Sequence, residues 1–266
     1  MSIKAVILSL PRDIDRRNAC EAECTQLGLL HSFFDAIYGD QLSDEDVSRV
    51  YDAKRNRRAF KRPLSRNEIA CALGHLKIWQ AIAEADDTLT LVLEDDATFI
   101  QNPMPFLAAL SETSERYQDV VIKLDGVAGS GRQVLGSVAD QSLVLSDRLP
   151  PRTTGYLIGR KAAAHLAAVH APFARPVDID LKFYWEHQVP ILTLAHQMVA
   201  ERGTFDSTIE ANRNSKKAGS SLGRFLSNAL YQLRYSYGRL SHPLKPDEIA
   251  GLTPLLDSRS GAQDRS

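Results

Sequence analysis

A short apolar run that ends in three consecutive carboxylates, residues 89–96, constrains this chain more than any other feature of its sequence. Its apolar part, residues 89–93, predicts a buried strand of a mostly parallel sheet. Glu94, Asp95 and Asp96 then fall at the carboxyl end of that strand, the edge where open α/β sheets bind ligands. Three adjacent acids repel one another and need a compensating charge. We therefore expect either a Mg²⁺ or Mn²⁺ ion that also holds a diphosphate, or an idle solvated loop.

Composition is that of a globular protein with an ordinary core. The chain has 266 residues, 44% of them hydrophobic, which suits one large domain or one domain with a tail. Its net charge of -1 excludes a globally basic nucleic-acid binder. The three cysteines, Cys20, Cys24 and Cys71, lack the second pair that a zinc site needs, so we expect reduced thiols in the cytosol. The N-terminal apolar run is shorter than a signal peptide requires, and no stretch reaches transmembrane length.

The chain opens with the pattern of a nucleotide-binding α/β unit. Residues 5–10 predict a buried strand, and residues 13–27 predict a helix that ends at Gly28. Arg12 and Arg16 lie just beyond the carboxyl end of the strand, where a phosphate would sit. Guanidinium groups bind diphosphates in a bidentate manner, which makes both arginines binding candidates. Solvated residues at a helix start would give the same pattern.

A helix predicted for residues 65–85 has the densest helical periodicity in the chain. Ser65 and Glu68 form a capping box at its start. His75 lies inside its apolar segment, either as a satisfied core residue or as part of a site. The basic run before this helix, residues 54–62, is predicted to be a solvated loop or an arm that closes over an anionic substrate.

The second half of the chain carries further short elements and the remaining candidate side chains. Residues 126–136 are rich in glycine and serine and predict a surface loop. Asp178 and Asp180 lie beside apolar residues just after a proline, and His196 follows a late strand. Strands are predicted at residues 30–37, 119–126, 142–145, 153–159 and 189–194, and helices at 103–115 and 160–169.

After Glu210 the sequence becomes basic and runs for a long stretch without an acid. Large apolar residues alternate with Lys and Arg at roughly helical spacing. This pattern predicts either a helix that lies on an anionic membrane surface through residues 213–245 or a helix docked on the domain. We therefore divide the chain into a domain at 1–210, a basic amphipathic helical extension at 211–250 and a disordered tail at 251–266.

These elements together resemble glycosyltransferase family 25, the lipopolysaccharide and lipooligosaccharide glycosyltransferases of bacteria, which include β-galactosyltransferases. Gly74 stands where the family has a serine before its histidine, and Asn67 and Ala70 stand where glycines flank its Glu-Ile pair. These departures concern the choice of acceptor or sugar and not the class of reaction. The segments that carry the resemblance are 6–12 with Arg16 and Arg17, 33–37, 64–79 and 93–97, with weaker matches at 154–156, 176–178 and 207–209.

The resemblance implies a fold and a reaction. The fold would be α/β and GT-A-like (Rossmann-like), with a mostly parallel central sheet flanked by helices and a basic helical C-terminal tail. The reaction would be an inverting transfer of galactose or glucose from a UDP-sugar to a saccharide acceptor, in lipopolysaccharide, lipooligosaccharide or surface polysaccharide synthesis. The protein would be cytoplasmic, or peripheral on the inner face of the bacterial inner membrane where it meets a glycolipid acceptor.

The resemblance also implies roles for individual residues. Asp96 would hold Mn²⁺ or Mg²⁺ with Asp95 or Glu94 assisting, and His196 is a further candidate ligand. A general base must deprotonate the acceptor hydroxyl on the face opposite the leaving group. Asp178 and Asp180 are the candidates, with Asp178 preferred because it follows the proline as in the family. The candidate donor-binding residues are Arg12, Arg16, Glu68, His75, Glu94 and Asp95.

Two other classes of protein remain open. A non-catalytic protein that binds a carbohydrate or nucleotide on the same fold would keep the core strands but need no general base. A sugar nucleotidyltransferase would also hold a metal with acids, but it would show a glycine-rich phosphate loop after the first strand. Residues 9–12 are not such a loop. No recognisable nucleic-acid-binding module is present in the basic runs, so we expect no nucleic-acid partner.

Overall fold

The computed structural model describes residues 2–127, 129, 132–203 and 221–244. Its strands are β1 (Lys4–Ser9), β2 (His31–Asp35), β3 (Leu89–Glu94), β4 (Ala97–Phe99), β5 (Val121–Val127), β6 (Arg132–Val138), β7 (Gln141–Ser146), β8 (Gly155–Gly159), β9 (Ile191–Leu194) and β10 (Val199–Glu201). Its helices are α1 (Ile14–Leu27), α2 (Asp44–Val50), α3 (Ala53–Ala59), α4 (Arg66–Glu84), α5 (Met104–Glu112), α6 (Arg160–Val169), α7 (Val177–Asp180), α8 (Tyr184–His187) and α9 (Ser221–Ser241).

The described strands build one large mixed sheet with the order β2-β1-β3-β8-β5-β9-β7-β6, and β4 pairs separately with β10. In the large sheet only β8 and β7 run against the common direction. Helices α4 and α6 pack on one face, and α1 and α5 pack on the other. The carboxyl ends of β1, β3 and β5 therefore meet at one edge. This arrangement confirms the predicted α/β class, with a mostly parallel, GT-A-like (Rossmann-like) sheet flanked by helices.

Strand β3 is buried on both faces, as its continuous apolar sequence predicts. Leu91 and Leu93 join the core under α1 and α5, whereas Val92 joins the core under α4. Because successive side chains of a strand point to opposite faces, Glu94 leaves the strand on the α4 side and Asp95 leaves it on the α1 side. The alternation of one short strand thus separates two neighbouring carboxylates.

Two segments differ from their sequence-based predictions. The basic run before α4 contains the helix α3 and not a loop, because Asp52 caps it by accepting a hydrogen bond from the Arg55 amide at 2.8 Å. The predicted glycine-rich loop is shorter than expected, because β6 pairs antiparallel with β7 at the sheet edge. Leu135 and Val138, which lie on this edge strand, are buried. Their burial is a long-range effect that local glycine content conceals.

The C-terminal helix α9 contacts the domain through an aromatic cluster. Tyr231 is buried and makes an edge-on contact with Phe60, at 5.6 Å between ring centroids. Tyr235 packs against Phe183 and Trp185 at 5.4 and 5.7 Å. Such ring pairs add stabilisation beyond the area that they bury.

Several sequence predictions fall outside the described residues. These include the weak family match at 207–209, the basic residues at 213–217 and the tail at 251–266. The division of the chain into a domain, an extension and a tail stays a prediction. Within the ranges that the structure describes, no helix combines the length and the hydropathy that crossing a bilayer requires.

Candidate active site

The middle carboxylate of the triplet, Asp95, is held by protein donors on the α1 side of the sheet. Ser9 donates its hydroxyl to Oδ2 at 2.8 Å, and Arg16 donates Nη1–H to Oδ1 at 3.0 Å. The thiol of Cys20 donates to the Asp95 carbonyl oxygen at 3.1 Å. Burial raises the pKa of Asp95 in spite of these hydrogen bonds. With both oxygens engaged, Asp95 fixes the turn after β3 and orients Arg16 at the sheet edge.

Glu94 is held on the α4 side by a chain of buried side chains. Oε1 lies 3.2 Å from His75 Nε2 and accepts the Thr153 hydroxyl at 2.5 Å. His75 Nδ1 lies 2.9 Å from the Tyr156 hydroxyl, to which Trp79 donates its indole N–H at 3.0 Å. One assignment satisfies every atom: Tyr156 donates to Nδ1, and Nε2–H donates to Glu94. His75 therefore orients Glu94 and completes a satisfied buried network.

Opposing effects set the charge of Glu94. Burial raises its pKa, but the hydrogen bonds from His75 and Thr153 and the positive charge of Lys123 outweigh burial, so the pKa of Glu94 is lowered. Glu94 is therefore ionised at neutral pH. Its fixed negative charge acts directly on the third acid of the triplet.

Asp96 is the carboxylate of the triplet that the described residues leave unsatisfied. Its Oδ1 atom is buried and has no hydrogen-bond partner among them, and Oδ2 lies 4.0 Å from Arg16 Nη1. Burial, followed by the charges of Glu94 and Asp95, raises the pKa of Asp96 to about 7. A buried oxygen without a donor, beside two fixed negative charges, is a fitting place for a divalent cation. The donor set is all carboxylate oxygen, which suits Mg²⁺ or Mn²⁺.

His196 does not join this group. It is exposed and lies between β9 and β10. The predicted set of Asp96, Asp95 and His196 is not among the described groups whose donor atoms lie within 4.8 Å of one another. Among the described residues, the three metal-binding side chains whose donor atoms lie within 4.8 Å of one another are Cys71, His75 and Glu94.

A cleft opens at this edge, lined by residues of β1, α1 and α4, by the segment after β2 and by all three acids of the triplet. Strands β2 and β3 lie on opposite sides of β1, so the cleft has a carboxylate end and an end formed by the segment after β2. Arg12 stacks on the Tyr38 ring at that second end, 3.7 Å from the ring centroid. The side chains that line the second end are Ile37, Tyr38 and Asn67, with the backbone of Gly39.

Glu68, a candidate for binding the sugar donor, makes its contacts at the start of its own helix, α4. It accepts the Ser65 amide at 3.0 Å in the capping box, and Arg62 pairs with its carboxylate. Burial raises the pKa of Glu68, but the hydrogen bonds from Arg62 and Ser65 outweigh it and lower the pKa. Glu68 therefore has a structural role: it caps α4 and positions Arg62.

Asp178 and Asp180 have different environments although they lie two residues apart. Asp178 is partly exposed and accepts a long hydrogen bond from the Arg152 amide at 3.4 Å. Burial is the main cause that raises the pKa of Asp178. The charges of Lys123 and Glu94 act on its carboxylate, which is not among the residues that line the cleft.

Asp180 points the other way, into a buried ion-pair network. His170 Nδ1 lies 2.9 Å from Oδ2, and Arg175 donates Nε–H to Oδ1 at 2.6 Å. Arg175 is 1% exposed and also pairs with Glu186 at 2.5 Å. Burial raises the pKa of Asp180, but His170 and Arg175 outweigh it and hold the pKa well below its usual range. Its environment is that of a structural anion.

Lys123 is a residue of this edge that the sequence analysis did not select. It is buried on β5, pairs with Asp125 at 3.1 Å and donates to the Arg152 carbonyl oxygen. Its charge favours the ionised forms of Glu94 and Asp178. The available signal was a lysine and an aspartate two positions apart in an otherwise apolar strand, which places both on one face.

We expect Asp96→Asn to stabilise the protein at alkaline pH in metal-free buffer. The folded pKa of about 7 lies above the ordinary value of 3.8, so the folded state binds more protons and the stability of the wild type falls as pH rises from about 4 to 7. Thermal unfolding at pH 8 should favour the variant by roughly 2–4 kcal/mol, and the difference should vanish at pH 4. The exposed Asp140→Asn is the matched control. An Asp96→Asn protein that is no more stable than the wild type at pH 8 would contradict this result.

Comparisons with family models and with known proteins find similarity over part of the chain. Residues 2–130 match the model of glycosyltransferase family 25 (LPS biosynthesis protein). A glycosyltransferase 25 family member of Aedes aegypti is 35% identical over 96 residues, which are 35% of this chain and 16% of that protein. Procollagen galactosyltransferase 1-B of Xenopus laevis is 31% identical over 98 residues, again 35% of this chain and 16% of that protein. The chain thus matches about a sixth of the length of each relative.

Among solved structures, the chain is similar to a glycosyltransferase involved in the glycosylation of the major capsid of PBCV-1. The two are 12% identical with a TM-score of 0.43, over 80% of this chain and 97% of that one. A TM-score of this size supports no statement about function. The family match begins with β1 and includes α4 and β3, which are the elements that position the triplet and His75. The predicted resemblance to glycosyltransferase family 25 is therefore confirmed, and residues 2–130 are the part of the chain that carries it.

Proposed function

We propose that this protein is an inverting glycosyltransferase that moves a hexose, galactose or glucose, from a UDP-sugar to a saccharide acceptor. The observation that carries the proposal is the buried, unpartnered Oδ1 of Asp96 in the wall of the cleft. Such an atom calls for a cation, and a cation beside an arginine at the carboxyl edge of an α/β sheet calls for a diphosphate. The family match over residues 2–130 supports the same reaction class.

Asp96 would hold Mn²⁺ or Mg²⁺, with Glu94 assisting through its carboxylate. When bound, the ion would neutralise charge that develops on the leaving diphosphate. Arg16 adds a fixed positive charge at the same end and is itself oriented by Asp95 at 3.0 Å. Asp95 contributes through this arginine and not primarily as a ligand, since Ser9 and Arg16 occupy its oxygens.

Asp178 is the general base in this proposal. It is partly exposed, it accepts a long hydrogen bond from the Arg152 amide, and burial raises its pKa, which makes it a better proton acceptor. It would take the proton of the acceptor hydroxyl as that oxygen attacks the anomeric carbon. Attack from the face opposite the leaving diphosphate gives inversion. Lys123 keeps Asp178 ionised before the proton arrives.

The far end of the cleft suits a nucleoside. Tyr38 and Ile37 supply apolar surface, the Asn67 side chain offers both a donor and an acceptor, and Arg12 braces the Tyr38 ring. A planar base that packs at this end would leave its diphosphate at the carboxylates, because the two ends flank β1. The acceptor would then approach from the side of Asp178.

We expect Tyr38→Ala to weaken UDP binding at least about 5-fold, because base stacking on an aromatic ring contributes roughly 1–3 kcal/mol. Calorimetric titration with UDP and Mn²⁺ measures the change. Tyr38→Phe keeps the ring and should bind within about 2-fold of the wild type. Unchanged affinity in Tyr38→Ala would move the base away from this end of the cleft.

The proposed function is tested by incubating the full chain with a panel of nucleotide sugars, Mn²⁺ and saccharide acceptors. We expect a UDP-hexose to be consumed in a metal-dependent reaction, with inverted anomeric configuration in the product. A retained configuration, or consumption of a donor other than a UDP-sugar, would overturn the mechanism or the donor. A UDP-sugar that binds but is never consumed, whatever the acceptor, would favour the non-catalytic binding protein. A role in lipopolysaccharide or lipooligosaccharide synthesis, at the inner membrane surface, belongs to the same proposal.

A further inference from the structure

Helix α9 has a second face, which points away from the domain. Tyr231 and Gly238 lie on the inward face, where the glycine backbone sits directly against the Trp185 indole. The opposite side of the helix carries large apolar side chains in contact with solvent, between 53% and 73% exposed. These outward residues are Leu226, Leu230, Leu233, Tyr237 and Leu240.

The spacing of the outward residues is regular. Counted along the helix, successive members are four, three, four and three positions apart. That is the 3.5-residue period of a coiled-coil seam, in which apolar side chains insert between those of a second helix. On a helix of 3.6 residues per turn the five positions fall within an arc of roughly 80°, a narrow stripe of the kind that one partner helix covers.

The charges of α9 lie away from this stripe. Among the described side chains of the helix the cations are Arg234 and Arg239, and both pair with acids of the domain. Arg234 Nη2 lies 3.3 Å from Glu186, and Arg239 Nη1 donates to Asp147 at 2.7 Å. A helix that rests on anionic lipid carries its cations beside the apolar face, free to reach headgroups. Here acids of the domain hold both cations away from the stripe, which favours a protein partner with an equally uncharged apolar stripe.

The outward stripe is complementary to the same stripe on a second copy of the chain. A two-fold dimer presents the same surface from both copies, so an uncharged apolar seam with heptad spacing needs no second protein to complement it. Pairing two such faces would bury on the order of 1,000 Å² of surface, which is the size that a specific interface requires. The inward aromatic contacts hold the helix against the domain, so the stripe is presented in a fixed position.

We propose that α9 forms a homodimer interface, with the outward stripe of one copy packed along the same stripe of a second copy. This proposal is independent of the reaction that the cleft performs. Because Leu233 lies at the midpoint of the stripe, it would meet its own counterpart in both parallel and antiparallel helix pairs. The residues at the ends of the stripe, Leu226 and Leu240, would meet themselves only in a parallel pair.

The first test is the mass of the full chain by light scattering and sedimentation at micromolar concentration. We expect the wild type to be a dimer. Leu233→Glu should raise the dimer dissociation constant at least about 100-fold, because it buries an unpaired charge in the seam. Gln232→Glu places the same charge on an exposed neighbour outside the stripe and should stay dimeric. Unchanged helicity at low temperature in both variants would exclude misfolding, whereas the loss of the partner should lower the thermal stability of Leu233→Glu alone.

Cysteine pairing provides the second test. Leu233→Cys should form an intermolecular disulfide under mild oxidation, whereas Gln232→Cys should not. A monomeric wild type would overturn the proposal, and so would a dimer that persists in Leu233→Glu. If that monomer floats with phosphatidylglycerol vesicles and Leu233→Glu alone abolishes flotation, the stripe is a lipid-binding face.

Discussion

Asp178→Asn is expected to lower kcat for sugar transfer by a factor of about 10²–10⁴, the contribution that a positioned general base makes. The amide keeps the shape of the side chain and can still be reached by the Arg152 amide. It cannot take a proton from an acceptor hydroxyl. Donor affinity and thermal unfolding should stay close to those of the wild type, because Asp178 is partly exposed and forms no ion pair with any residue that the structure describes.

Steady-state kinetics with a saturating acceptor, together with calorimetric binding of the donor, separate these effects. Asp147→Asn alters a second partly exposed carboxylate, which pairs with Arg239 away from the cleft, and should leave kcat unchanged. If Asp178→Asn retained more than about a tenth of the wild-type kcat, another group would have to act as the base. A loss confined to donor binding would make Asp178 a substrate-positioning residue.

Asp180→Asn is expected to destabilise the fold by about 3–5 kcal/mol, the usual result of removing one partner of a buried ion pair. Arg175, 1% exposed, would keep its charge with only Glu186 to balance it, and His170 would lose its acceptor. Because the pKa of Asp180 is lowered in the folded state, its stabilisation is present above about pH 4 and is lost as pH falls further.

Chemical denaturation at pH 7 measures this loss. The double variant Asp180→Asn with Arg175→Met should recover part of the stability, since the second change removes the charge that the first leaves unpaired. Glu186 retains contacts with Arg55 and Arg234 in that variant. A cost below about 1 kcal/mol for Asp180→Asn, together with lost transfer, would reverse the roles of the two aspartates.

The sequence predicts best those elements whose signals are local. The strand β3, the helix α4 with its capping box at Ser65, and the position of the triplet at a strand end all follow from periodicity and caps within one segment. Helix α3 and the edge strand β6 were not predicted. The basic residues of α3 suggested a solvated loop. The glycines of β6 suggested a surface loop, although pairing with β7 stabilises this segment as a strand.

The site could be predicted only as a set of residue types. That Asp95 would be engaged by Ser9 and Arg16, while Asp96 kept an unpartnered oxygen, depends on contacts between β1, α1 and β3. The separation of Asp178 from Asp180 depends on a single helical turn, α7, that points one side chain outward and the other toward Arg175. These contacts are tertiary, and residue spacing within one segment cannot predict them.

Binding of Mn²⁺ with and without UDP, followed by the electron paramagnetic resonance of the free ion, tests the central claim most directly. We predict that UDP tightens Mn²⁺ binding to the wild-type protein at least about 10-fold, and that Asp96→Asn abolishes this coupling although it folds normally. An Asp96→Asn protein that bound Mn²⁺ and UDP as tightly and as cooperatively as the wild type would contradict the assignment of the carboxylate end of the cleft as the site of the metal and the donor diphosphate.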